Sequence, residues 1–132
     1  MALARVCAAT PATAGGDPAT FTVDGDARPL PADVEATLVR VAQASIANVA
    51  RHARATRCTV TLTYQPDSVS LDVVDDGIGF DPAADPPPGA VGIAGVRRRM
   101  DALGGQLVIE SAPGSGCGVS VRVPLDDGKA LP

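Results

Sequence analysis

The sequence predicts an α+β two-layer sandwich: a mixed, mostly antiparallel sheet with helices packed on one face. Three observations point there. Apolar residues recur at steps of three and four between 33 and 53, apolar and hydroxyl side chains alternate strictly between 58 and 64, and a second helical stretch separates two strand pairs. A chain of 132 residues has the length of one domain. It can bury roughly two-thirds of its unfolded surface, enough for one core.

Residues 1–18 are rich in Ala, Thr, Gly and Pro and read as a flexible lead-in or the remnant of an upstream helix. Thr20 to Val23 is a short strand ending at the turn signal Asp24-Gly25, and Pro29-Leu30-Pro31 stops further extension. From Asp33 to about Ala53 the apolar positions Val34, Leu38, Val41, Ser45/Ile46, Val49 and Ala53 mark an amphipathic helix. Asp33 and Glu35 sit near its start and Arg51, His52 and Arg54 near its end, as the helix dipole favours.

Cys58 to Tyr64 sets Val60, Leu62 and Tyr64 against Thr59, Thr61 and Thr63, the pattern of a half-buried strand. Gln65-Pro66-Asp67-Ser68 turns the chain into a second strand, Val69 to Asp75, completing a hairpin. Asp75 to Phe80 is a loop, and Asp81 to Ala90, with Pro82 and Pro86-Pro87-Pro88, can be neither helix nor central strand. Gly92 to about Leu103 is a second helix, stopped by Gly104-Gly105. Gln106 to Ser111 and Cys117 to Pro124 form a closing hairpin across Ala112 to Gly116. The folded domain is expected over 19–125, with a tail over 126–132, and there is no internal repeat.

Composition excludes several functions. The net charge is −4, no basic tract exists and aromatic content is 2%, so neither the electrostatics nor the stacking surfaces of a nucleic-acid binder are present. No run reaches the roughly 18 apolar residues of a membrane span, so this domain is expected to make no membrane contact. Cys7, Cys58 and Cys117 are far apart, without C-x-x-C or metal-ligand spacing, which supports neither a disulfide framework nor a zinc site. A reducing, cytoplasmic setting follows. The first residues are too short a stretch, interrupted by Arg5, for a signal peptide.

Chemistry could sit at three places. Asn48, Arg51 and His52 lie at i, i+3 and i+4 on one helix face, where an amide oxygen can ligate Mg²⁺ and Arg and His can donate to phosphate. A solvated polar face is the alternative. Asp75 precedes Gly77 and Gly79, which gives an acceptor carboxylate followed by backbone able to approach a ligand closely. An ordinary strand-ending turn has the same residues. Gly89 to Gly95 runs into the second helix, whose first amides lack intrahelical partners and can bind an anion. No Lys-Ser/Thr follows, which excludes a P-loop, and the glycines follow a proline loop instead of a strand, which disfavours a dinucleotide fold. Arg97-Arg98-Arg99 reads as a solvated helix face, with a phosphate or partner role as the lesser alternative.

In this order the motifs resemble the ATP-binding catalytic domain of two-component sensor histidine kinases, a Bergerat-type fold shared with gyrase B, heat-shock chaperone ATPases and the mismatch-repair MutL proteins. The likeness is closer to the nitrate-sensor-like branch. The stretch from Arg40 through Gln43, Asn48, Arg51 and His52 resembles its signature helix, and Asp75 to Phe80 its first glycine box. Gly92 to Gly105 resembles the second box and its helix, and Ile109 to Cys117 with Val121 to Pro124 the closing hairpin.

The resemblance implies ATP and Mg²⁺ as ligands. Asn48 would ligate the metal, Arg51 and His52 would hold the phosphates, and Asp75 would accept the adenine amino group. Gly77 and Gly79 would shape the pocket wall, residues 81–91 would form a lid, and Val91, Gly92, Ile93, Ala94 and Gly95 would bring amides to the phosphates. Cys117 would lie on the adenine side.

Three departures stand out. Ala44 occupies the place of the usual Glu, so no catalytic residue is assigned; Cys117 replaces a Thr; and Ala90 replaces a frequent Gly. The one histidine, His52, fits the signature helix, so the phosphoacceptor His belongs to a separate dimerisation domain of the same or another chain. A response regulator is then an indirect partner, and the isolated domain is expected to be a monomer, within a parent that can be membrane-anchored. Ala44 motivates a different reading, a non-catalytic nucleotide-binding regulator. An anti-sigma-type serine kinase shares the signature helix and first box, but Leu103-Gly104-Gly105 and the Ser111 to Gly116 loop favour the histidine-kinase branch. A plain interaction domain is the blandest alternative.

Overall fold

The computed structural model describes residues 2–9, 11–13, 15–50, 54–78, 93–111, 114, 116–126 and 129–130. The elements in chain order are α1 (Ala2–Ala9), β1 (Thr20–Asp24), α2 (Ala32–Asn48), β2 (Cys58–Gln65), β3 (Ser68–Asp75), α3 (Ile93–Ala102), β4 (Gln106–Ser111), β5 (Cys117–Asp126) and β6 (Lys129–Ala130). The strands make one sheet in the order β1-β2-β3-β5-β4, with β6 paired to the end of β5. Four of its pairings are antiparallel. Only β1 and β2 run parallel, because α2 carries the chain back across the sheet between them.

Period-two alternation builds the core. Val60, Leu62 and Tyr64 on β2 lie opposite Val73, Leu71 and Val69 on β3, which in turn face Val119, Val121 and Val123 on β5. All nine are buried, and they form one cluster with Val34, Leu38, Val41 and Ile46 of α2 and Val96 and Met100 of α3. Each large aliphatic side chain so buried contributes about 1.5–3 kcal/mol. The outer face carries Thr59, Thr61, Thr63, Ser70, Asp72, Ser120 and Arg122, none of them buried. One face is therefore apolar and covered by helices, and the other is mostly polar and open, with Val74 and Val108 exposed on it.

Local chemistry sets the ends of the elements. The Asp33 carboxylate accepts from the Val34 N–H at 2.9 Å in the first turn of α2. Helix α3 ends in a Schellman closure: Gly105 N–H donates to Met100 O at 2.8 Å and Gly104 N–H to Asp101 O at 3.1 Å, with Gly104 at φ +69°. The β2–β3 turn is tighter than the four-residue turn expected. Gln65 and Ser68 are already paired, leaving Pro66 and Asp67 as the loop, and Ser68 Oγ donates to Gln65 Oε1 at 2.7 Å.

The long helix expected to about Ala53 is described through residue 50; residues 51–53 lie outside the described residues. The α-helix ends at Asn48, residues 49–50 continue as a wider π turn, and Arg54 is in the left-handed region at φ +49°. The chain must reverse there, because Ala55 is fully buried and β2 begins at Cys58.

Both ends of the chain carry regular structure. Of the two readings open for residues 1–18, a flexible lead-in or a helix remnant, residues 2–9 take the helical one, with Leu3 and Cys7, one turn apart, buried in the core. An eight-residue helix is marginal alone, so packing is what holds it. At the other end β5 continues to Asp126 and pairs with Lys129–Ala130, part of the segment expected to be a tail.

If α1 is part of the core, Leu3→Ala lowers stability by about 2 kcal/mol or more and the melting temperature by roughly 6–10 °C. A thermal melt that leaves this variant unchanged would mean that α1 does not contribute to the fold.

Candidate functional site

The site is built around the end of β3. Asp75 closes that strand, and its cross-strand neighbours are Cys58 on β2 and Cys117 on β5. Asp75 is 6% exposed, a carboxylate set on the apolar side of the sheet. Its Oδ1 accepts from the Gly77 N–H at 2.8 Å, and the Cys117 backbone N–H also donates to it. Burial pushes the carboxyl above its ordinary value; the Gly77 N–H draws it back, the neighbouring Asp76 charge adds to the rise, and the Cys117 N–H opposes it. A carboxylate has about four acceptor positions, so two amides leave it capacity for a ligand's N–H.

The surrounding loops fit this arrangement closely. Gly116, at φ +74°, lies so near the Asp75 carbonyl oxygen that a Cβ would run into it. Ser111 Oγ donates to Gly116 O at 2.8 Å, and Gly114 N–H donates to Ile78 O, tying the β4–β5 loop to the segment after Asp75. Asp76 is exposed, and its carboxylate accepts from the Thr56 hydroxyl, from the Thr56 N–H at 2.8 Å and from the Arg57 N–H at 2.8 Å. These bonds, the Thr56 hydroxyl first, hold its carboxyl below the usual range.

The thiols beside Asp75 are quiet. Burial, then the charges of Asp75, Cys7 and Asp76, push Cys58 up to about 12. Burial and Asp75 raise Cys117 as well, and Ser111 partly offsets them. Both stay protonated at neutral pH and are poor nucleophiles. Cys117 supports Asp75 through its backbone, so the Thr-to-Cys departure does not remove that donor.

The other expected residues are distributed as follows. Asn48 is half-buried in the last turn of α2, which packs on β3. Ile93, Ala94 and Gly95 form the first turn of α3, where backbone N–H groups have no partner within the helix, and a Cβ at Gly95 would meet open space. Gly77 is placed by its bond to Asp75. Arg51, His52, Gly79, Val91 and Gly92, with lid residues 81–91, lie outside the described residues. Arg97, Arg98 and Arg99 are exposed, as a solvated helix face requires. Sequence reading missed Cys58 and Gly116 as neighbours of Asp75, Ser111 as the partner of Gly116, and Thr56 as the partner of Asp76. Only strand register brings them there, and the sole local signal was the pair of glycines around Ser115.

Residues 33–127 match the family described as histidine kinase-, DNA gyrase B-, and HSP90-like ATPase. The chain belongs to this family. It is an ATP-binding domain of the kind found in sensor histidine kinases, as its motifs had indicated. Similar proteins include the signal transduction histidine-protein kinase/phosphatase DegS of Brevibacillus brevis, 31% identical over 101 residues, covering 76% of this chain and 26% of that protein. The sensor histidine kinase YhcY of Bacillus subtilis (strain 168) is 36% identical over 95 residues, 72% of this chain and 25% of the relative. The chain thus spans about a quarter of the length of these relatives.

Among solved structures, the histidine kinase domain of the Erythrobacter litoralis EL346 blue-light activated histidine kinase superposes with a TM-score of 0.68. It is 22% identical, with 92% of this chain and 58% of that chain covered, which establishes the fold of this ATPase domain. Among the described residues no helix is long and apolar enough to cross a membrane.

The raised Asp75 carboxyl has a testable sign. A group favoured in its protonated form by folding contributes stability below its unfolded value, near pH 4, and loses that contribution as pH rises through the folded value. Asp75→Asn removes the buried charge, so the ligand-free variant should melt above the parent at pH 7, with the gap closing as pH falls toward about 4. A constant gap across that range would contradict this account. Gly116→Ala should instead lose about 2 kcal/mol or more, seen as a lower urea midpoint.

Proposed function

We propose that this domain binds ATP with Mg²⁺ and delivers the γ-phosphate to a histidine on a separate dimerisation domain, for relay to a response regulator. The observation that carries the reading is Asp75, a buried carboxylate oriented by two backbone amides with acceptor capacity to spare. Such a group suits the exocyclic amine of adenine. By the motif likeness Gly77 and Gly79 would shape the wall beside it, and Cys117 would lie on the adenine side. The family match and the histidine-kinase relatives support the same assignment, and the motif likeness favours the nitrate-sensor-like branch.

The phosphate end falls to Asn48, Arg51, His52 and the start of α3. Among the described residues no cluster of His, Cys, Asp or Glu could cage a metal ion. That fits Mg²⁺, which keeps waters and binds through substrate phosphates with few protein ligands; Asn48 would offer one amide oxygen. The bound metal would neutralise phosphate charge. Amides in the first turn of α3, which have no partner within the helix, are suited to phosphate oxygens, and residues 81–91 would close over the nucleotide.

Ala44 bears on turnover more than on binding. It is buried, and the carboxylates of α2, Asp33 and Glu35, lie in its first turn, about 20 Å along the helix from Asn48. Helix α2 therefore brings no base to the phosphates, and an acidic group on the partner domain would supply it. Phosphoryl transfer tolerates this because positioning and charge neutralisation dominate its barrier.

Calorimetric titration with a non-hydrolysable ATP analogue and Mg²⁺ should show saturable binding, weakened about 10–100-fold by Asp75→Asn. An unmodified chain that binds nothing would overturn the reading. With ATP and a histidine-bearing dimerisation domain supplied in trans, the transferred phosphate should be acid-labile. Acid-stable phosphoserine would point to the serine-kinase alternative.

A further inference from the structure

We propose that Asp76 is a positioning residue for nucleotide binding: it pins the chain leaving α2 to the end of β3 and so sets the aim of the Asp75 carboxylate. The inference rests on the nucleotide reading above and extends it to a residue that touches no ligand.

The geometry is that of a clamp. One exposed carboxylate takes three donors from two consecutive residues: the Thr56 N–H, the Thr56 hydroxyl and the Arg57 backbone N–H. The Asp76 N–H returns a bond to Arg57 O at 3.3 Å. These contacts lie one residue beyond Cys58↔Asp75, the last pair of the β2–β3 ladder, and therefore prolong the pairing past Asp75. Without them Asp75 would stand at a fraying strand end. The Gly77 N–H that orients Asp75 belongs to the residue after Asp76, so the same backbone carries both bonds.

The other half of the clamp faces α2. Arg54 holds a left-handed φ of +49° without being glycine, a conformation that persists only where its surroundings impose it. Two restraints follow at once: Ala55 is fully buried, and Thr56 and Arg57 are gripped by Asp76. The clamp thus couples the exit from the helix bearing Asn48 to the strand bearing Asp75, the two ends of the proposed nucleotide site. Depression of the Asp76 carboxyl keeps these bonds in their charge-assisted form at neutral pH.

The test measures the dissociation constant of a non-hydrolysable ATP analogue with Mg²⁺, well below the melting temperature of every variant. Asp76→Ala should weaken binding about tenfold. Asp76→Asn, whose amide oxygen still accepts from both backbone N–H groups, should stay within about threefold of the parent. Thr56→Val should weaken binding modestly, and Asp76→Ala combined with Thr56→Val should be no worse than Asp76→Ala alone, as coupled partners require. If Asp76→Ala fails to fold, weakened binding by Thr56→Val, set against parent-like binding by Asp76→Asn, still supports the clamp, and unchanged binding by Thr56→Val overturns it. A folded Asp76→Ala that melts lower yet binds with the parent constant shows a purely structural role and overturns the proposal. A parent chain that does not bind the analogue removes the nucleotide reading itself.

Discussion

In the proposed site Asp75 must remain a hydrogen-bond acceptor while sitting on the apolar side of the sheet. Removing a carboxylate from water costs several kcal/mol unless something replaces the lost hydration. Here the replacement is backbone: a hydrogen bond to a charged group contributes about 1.5–3 kcal/mol, and Gly77 and Cys117 supply two. The neighbourhood follows from that requirement. Gly116 is bare so that β5 can approach, the β4–β5 loop is tied to Ile78, and the flanking groups are thiols, which add no charge.

That carboxylate needs a rigid seat, which the central strands provide. Strand β3 lies between β2 and β5 along its whole length, with Leu62, Leu71 and Val121 stacked across the middle and fully buried. The proposed site sits at one end of this slab, where the ladder stops and loops begin, an arrangement that lets loops vary while the scaffold holds. The burial preference of Asp75 runs against stability at neutral pH, as expected for a group kept for binding.

The family resemblance and the structure inform each other at the departures. A thiol at 117 looks like a lost hydrogen-bond partner when read from side-chain chemistry, yet Cys117 pairs with Asp75 across the β3–β5 ladder, and its backbone N–H favours the charged carboxylate whatever the side chain. Ala44 is different, because a methyl group has no backbone substitute. Its burial beside the core leaves α2 without a carboxylate near Asn48 and moves the question of the base to another domain.

The amino-acid sequence alone determined strands β1 to β5, α2 and α3, and it singled out Asp75 as the candidate carboxylate. Alternation over 58–64, the three-and-four spacing after Val34, the Gly104-Gly105 stop and the Asp75-to-Gly77 motif are local signals, each produced by contacts within a few residues. Tertiary structure decided the rest. An eight-residue helix such as α1 lacks enough turns to announce itself, and only the core pocket for Leu3 and Cys7 fixes it. The change from α to π geometry at residues 49–50 is likewise absent from the local apolar spacing. The neighbours of Asp75 come from three separate strands and a loop, and Thr56 meets Asp76 across 20 residues of chain. Such contacts depend on register, which no local window contains, because pairing is a property of two strands at once.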